Sequence, residues 1–222
     1  MDIRHYFEPS VQSRRSIAAT YRVQRFPKRL RDASAAALRE RMRAGLAVAG
    51  YSPTGPASET ADHVEETVSV WHQHDATRVE IRGGARDGLV VVSVGGETGW
   101  LDPSSQRLHR LTGPSSSGIY GFLLNPGWLP SSLNFSPEGE EVWVAQRRSV
   151  LAHALPRPYR ERTRVLELES LGEGADRFVM AVDAECGLLL VCQAYKANEI
   201  LQDITATAVS VGAALDPATF SL

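Results

Sequence analysis

Apolar residues recur along this chain with two periods, and the change between them divides it. In IAATYRVQRF, residues 17–26, Ile17, Ala19, Tyr21 and Val23 hold alternate positions, the spacing of a strand with one dry face. Pro27 closes that strand. The following stretch, KRLRDASAAALRERMRAGLAVAGY, has a period near four: Leu30, Ala33, Ala37, Leu38, Met42 and Leu46 make one stripe on a helix rich in the strong helix formers Ala, Leu and Arg. Gly50 is a stop signal, and SPTGPASET reads as a linker.

From Glu65 onward the period is two. Val68, Val70, His72 and His74 share a parity in TVSVWHQHD, and Val79 and Ile81 alternate with Arg78, Glu80 and Arg82. GLVVVSVGG, ETGWLDP, QRLHRLT, EEVWVAQRRSVLAHALPR, RTRVLELES, DRFVMAVD, GLLLVCQAY and ITATAVSVG extend the series, with turn signals at short intervals. The pattern predicts a mainly β chain with α additions, built as an antiparallel meander. RGGARDG leads into a strand rather than a helix, so its glycines mark a hairpin loop and not a nucleotide site. One segment breaks the period: IYGFLLNPGWLPSSLNF, where Gly121, Pro126, Gly127 and Pro130 interrupt aromatics and leucines. A turn or two of helix plus a loop is expected there.

Late in the chain, GADRFVMAVDAECGLLLVCQAY sets apolar strands on either side of Asp183–Gly187 turn chemistry, in which Asp accepts local N–H bonds and Gly supplies a positive φ. Together with GETGWLDP upstream, LLNPGWLPSSLNF before a V.V...R hairpin, and LDPATF near the end, this stretch resembles the LolA-like group. That group comprises the periplasmic lipoprotein carriers, the lipid-binding lipoproteins and the RseB-type sigma-regulator proteins. The resemblance runs from about Glu65 to Phe220 and contains no catalytic signature. It implies an incompletely closed antiparallel β-barrel, a half-barrel, with helices and a lid over its concave face and an apolar cavity between them. The expected layout is a single domain over 1–222. It divides into entry segment and first strand at 1–26, helix at 27–50, linker at 51–64, and barrel at 65–222 with the lid at about 113–137. The long Arg/Ala helix between the first two strands departs from the exported carriers, so only their ligand-holding geometry carries over.

Composition changes this picture little. The 222 residues are 43% hydrophobic and carry a net charge of -2, which argues against nucleic acid as a partner. Ten Arg and Lys residues between Arg14 and Arg43 make the N-terminal part locally basic. The opening residues lack the apolar core of a secretory signal, and no run is long enough for a transmembrane segment. If Met1 is the native start, a cytoplasmic protein is expected; otherwise, an exported one. Cys186 and Cys192 suit a reducing compartment.

Candidate chemistry is sparse. His72 and His74, on one strand face, are the only pair with metal-ligand spacing, and nothing elsewhere completes a set, so no metal is expected. His153 shares parity with Leu151 and Leu155 and is expected on the inner face, as a core histidine with a partner. No nucleophile motif is present, both cysteines lack an activating neighbour, and no cofactor is expected. Glu167 and Glu169 alternate with Leu166 and Leu168 as the wet face of a strand. Aromatics say more. Tyr120, Phe122, Leu123, Trp128 and Leu129 in the lid, with Trp100, Phe178 and Met180 on strands, are the expected ligand-binding set.

The leading expectation is therefore a carrier-like binding protein for a hydrophobic or amphipathic small molecule, such as an acyl chain, a lipid or an apolar biosynthetic intermediate. The first alternative is a cyclase or isomerase using the same cavity, with His153, His72 and Tyr120 as its polar groups. The second is an interaction module whose helix from Lys28 to Ala49 docks an acidic protein.

Overall fold

A computed structural model describes residues 3–7, 16–43, 61–112, 120–124, 126–136, 138–157, 171–172 and 174–222. Among them, twelve strands form a single sheet. These are β1 (Ile17–Arg25), β2 (Val64–Gln73), β3 (Ala76–Arg82), β4 (Val90–Val94), β5 (Glu97–Asp102), β6 (Arg107–Thr112), β7 (Leu133–Phe135), β8 (Glu140–Val144), β9 (Arg147–Pro156), β10 (Arg177–Asp183), β11 (Leu189–Lys196) and β12 (Glu199–Val211). Three helices accompany them: α1 (Pro27–Arg43), α2 (Gly121–Leu124) and α3 (Leu129–Ser132). Each expected strand that falls on described residues has an observed counterpart, although β2 ends at Gln73, short of His74. RTRVLELES, with Glu167 and Glu169, lies outside the described residues, as does most of the expected linker.

The spatial order is β6-β5-β4-β3-β2-β1-β12-β11-β10-β9-β7, with β8 also paired to β9. Among the described residues all pairings are antiparallel and none joins β6 to the far edge, so the sheet is an open half-barrel. Two meanders run from β2 to β6 and from β9 to β12. β1 lies between them, pairing with both β2 and β12. The inner face follows the parity of Ile17, Ala19, Tyr21 and Val23, all buried. Tyr21 spends its hydroxyl on the Leu189 carbonyl, 3.0 Å away, so this core tyrosine leaves no polar atom unsatisfied.

β10 and β11 differ from the expected alternation. Val179, Ala181 and Val191 are buried as well as Phe178, Met180 and Val182, so these strands are covered on both faces. Their continuous apolar runs reflect that. On the inner face, the 3-10 turn Ile3–Phe7 packs against β9 and β10, and α2 packs against β11. Ile3 is fully buried, so the Ile3–Phe7 turn contributes to the core.

α1 starts at Pro27, where the missing N–H costs nothing, and runs against β12. Its apolar stripe includes buried Ala33 and partly buried Leu30. The close approach uses Gly174, at φ 79°: a Cβ there would lie 2.5 Å from the Ala33 carbonyl carbon and oxygen. Gly174→Ala is expected to cost about 1–3 kcal/mol, measured by thermal denaturation, because backbone has to move. An unchanged melting temperature would mean α1 is not seated there.

Candidate functional site

One cross-strand row organises the inner face. Val209, Ala19, Val70, Val79, Val91, Trp100 and His109 are successive partners across β12, β1, β2, β3, β4, β5 and β6. Val70 and Val79 are buried, whereas Val91, Trp100 and His109 are half-buried. The same apolar surface thus emerges from the core toward β6, where Trp100 stacks on His109 with ring centroids 5.1 Å apart and planes 10° from parallel. Beside it runs a polar row: His72, Thr77, Ser93 and Thr98. Its side chains bond across strands, His72 Nδ1 to Thr77 Oγ1 at 3.2 Å and Ser93 Oγ to Thr98 Oγ1 at 2.9 Å. Burial lowers the His72 pKa, only partly opposed by a backbone hydrogen bond at Ala76, and His74 lowers it further. This row is therefore uncharged at neutral pH.

The other arm of the inner face is filled by the chain itself. Phe122, Leu123, Leu124, Leu129, Leu133 and Phe135 are buried in one cluster with Phe178 and Met180. The lid closes as two short helices and a 3-10 turn, Pro126–Trp128, as the broken period suggested. It then adds the short strand β7. The Trp128 side chain lies outside the described ones, as do residues 113–119 of the expected lid. Because Phe122 belongs to the core, Phe122→Ala would cost about 3–5 kcal/mol and is not a silent probe of binding.

Tyr120 fastens the head of this lid. It sits at φ 70°, nearly fully buried. Its hydroxyl donates to Glu66 Oε2 at 3.0 Å and accepts from Arg86 at 2.8 Å. The Glu66 side chain is wholly buried and is paired at 2.7 Å with Arg25 on one oxygen and at 2.7 Å with Arg86 on the other. Burial pushes the Tyr120 pKa up to about 12, with Arg86 opposing and Glu66 adding to the rise. Tight backbone places Arg86: Gly83 and Gly84, both at positive φ, turn β3 into a 3-10 turn ending at that residue. The expected hairpin loop at RGGARDG is thus the mount for a guanidinium.

Several expectations need correction. His74 is not on the strand face: at φ 55° it lies in the two-residue turn between β2 and β3, outside the His72 row. His153 does not face inward. On β9 the buried parity is Val150, Ala152 and Ala154, which leaves His153 exposed and Leu155 56% exposed. The three leucine-histidine-leucine positions imitate a dry face, but small alanines fill the tight space under the lid instead. His153 and His72 thus lie on opposite faces of the sheet, and Tyr120 is held by Glu66. The proposed enzyme trio does not converge. Trp100 sits mid-strand in the open arm, apart from the lid residues.

Arg25, Glu66 and Arg86 escaped the sequence reading, although a signal existed for two of them. Glu66 shares the parity of Val64, Val68 and Val70, and Arg25 that of Tyr21 and Val23. Inward-pointing charges of opposite sign on neighbouring strands are a pairing signal. In α1, Arg29 donates to the Ile200 carbonyl at 3.1 Å and lies over Phe26, so part of the basic helix serves the fold.

Both cysteines are buried and free. Burial, then the nearby Asp183 charge, push the Cys186 thiol up to about 12, and burial raises that of Cys192. Neither should react with a thiol reagent in the native protein, while both should react after unfolding; native labelling would contradict this packing.

No family model and no curated protein matches the chain. Solved structures do. MucB in the Pseudomonas aeruginosa MucA/MucB complex matches at 15% identity and TM-score 0.54, over 100% of this chain and 61% of that one. A second MucB structure matches at 14% and 0.55, over 99% and 61%. This chain has the fold of MucB. An uncharacterized conserved protein from Thermus thermophilus shares that fold at 12% identity and TM-score 0.52, over 98% of this chain and 90% of that one. The chain spans 61% of the length of the MucB chains it matches, and identities this low show fold alone.

Proposed function

We propose that the protein binds an apolar or amphipathic small molecule on the inner face of its half-barrel, without transforming it. One observation carries this reading: the inner apolar row continues beyond the filled core to Val91, Trp100 and His109, which are half-exposed. Beside it, the uncharged hydroxyl row offers donors and acceptors to a polar head. An amphipathic ligand matches that adjacency: tail along Val91 and Trp100, head toward Thr77 and Thr98. An eight-carbon tail would gain about 6 kcal/mol if fully enclosed, equivalent to a dissociation constant in the tens of micromolar.

Native mass spectrometry and a fluorescent fatty-acid probe test this. Binding at micromolar concentrations is expected, with quenching of tryptophan emission and about tenfold weakening in Trp100→Ala. Trp100 is half-exposed, so its loss spares the fold. No adduct and no probe binding would remove the proposal.

A protein segment is the second reading, favoured by the MucB structure solved as a complex with MucA. Binding of a labelled extended apolar peptide that free fatty acids do not displace would select it.

A further inference from the structure

The two ends of the sheet are opposite in charge. β6, the strand at one end, reads RLHRLT and carries Arg107, His109 and Arg110 with no acid. β8, on the other edge, reads EEVWV and carries Glu140 and Glu141 with no base. Among the described residues no strand pairs with the outer side of either. Each edge also displays a large apolar side chain: Leu108 is 47% exposed and Trp143 is 69% exposed. An exposed strand edge offers unpaired N–H and C=O groups to another strand, and proteins commonly block this with charge. Here the charge blocks only like edges. Two β6 edges repel, two β8 edges repel, and β6 attracts β8.

We infer that a second copy of this chain docks head to tail, its β8 edge adding antiparallel to β6. One register satisfies both kinds of side chain. With Leu108 opposite Trp143, Arg110 falls opposite Glu141 on the same face, which sets the two exposed apolar groups together and pairs the charges. Glu141 is held only loosely within its own chain, 3.7 Å from Arg148 with both side chains about half-exposed, so it is available. Because the two edges differ, the contact is heterologous and does not close on itself as a two-fold dimer. It propagates to a ring or a short filament. The inference is independent of ligand binding.

Sedimentation from micromolar to millimolar concentration tests it. The average mass should rise past that of a dimer and fall as salt screens the edges. Arg110→Glu and Glu141→Arg, both at surface positions, should each abolish the rise, and the double variant R110E/E141R should restore it. Mixed Leu108→Cys and Trp143→Cys proteins should cross-link to one another, while each alone should not; the buried native cysteines do not compete. A monomer at every concentration, a plateau at the dimer, or association unchanged by the single reversals would overturn the inference.

Discussion

Glu66→Ala is expected to lower stability by about 3–5 kcal/mol, a fall in melting temperature of roughly 10 °C for a domain of this size. The carboxylate is wholly buried, with Arg25 on one oxygen and Arg86 and the Tyr120 hydroxyl on the other. Removing it leaves two guanidiniums facing each other with no anion between them, and that cost exceeds the worth of any single bond. Tyr120→Phe separates the parts. It removes the lid's hydrogen bonds but leaves Glu66 its two cations, so only about 1–2 kcal/mol should be lost. Amide exchange should then quicken across residues 121–135 and stay unchanged in β10 and β11. A Glu66→Ala protein within about 1 kcal/mol of the parent, by calorimetry, would show that the cluster does not hold the sheet to the lid.

Asp183→Ala is the second large effect, also about 3–5 kcal/mol. Asp183 is fully buried at the β10–β11 turn. It takes Arg147 Nε at 2.6 Å and a second Arg147 nitrogen at 3.1 Å, and accepts the N–H groups of Glu185 at 2.8 Å and Cys186 at 3.0 Å. Burial by itself would raise its pKa, but the Arg147 hydrogen bonds and the two turn N–H groups outweigh it and the net shift is downward. The sign follows. A depressed folded pKa gives stability that is fully present above the unfolded value near 3.9 and is lost as pH falls through the folded one. The parent should therefore lose stability on acidification below about pH 4, and Asp183→Asn should flatten that limb. Equal acid slopes in urea titrations of the two proteins would rule this out.

The Asp183 turn also shows how far local sequence reaches. Asp, then Gly187 at φ 70°, between two apolar runs, predicted a hairpin, and the Gly187 N–H does bond the Asp183 carbonyl at 3.0 Å. Such turns are legible because their chemistry lies within five residues. Arg147, the first residue of β9, was not legible. Nothing within its own strand says that β9 will lie beside β10 with Arg147 close to the carboxylate. His153 failed for a related reason. Alternation assigns two faces to a strand but not which one is inside, and the lid decided in favour of the alanines.

Sequence alone determined the element types, the hairpin turns and the broken lid segment, because each follows from periodicity or from residues that fix φ. Tertiary structure alone decided the rest. β1 is inserted between β2 and β12, joining two meanders through partners up to about 190 residues apart, as in Ile17 with Val211. That insertion brings Arg25 beside β2, and the two tight glycines bring Arg86, so that three distant charges meet at Glu66. It also carries the inner apolar row outward to Trp100, and among the described residues it leaves β6 and β8 as unpaired edges of opposite charge. Local pattern sets which face of a strand is dry; long-range pairing sets what that face meets.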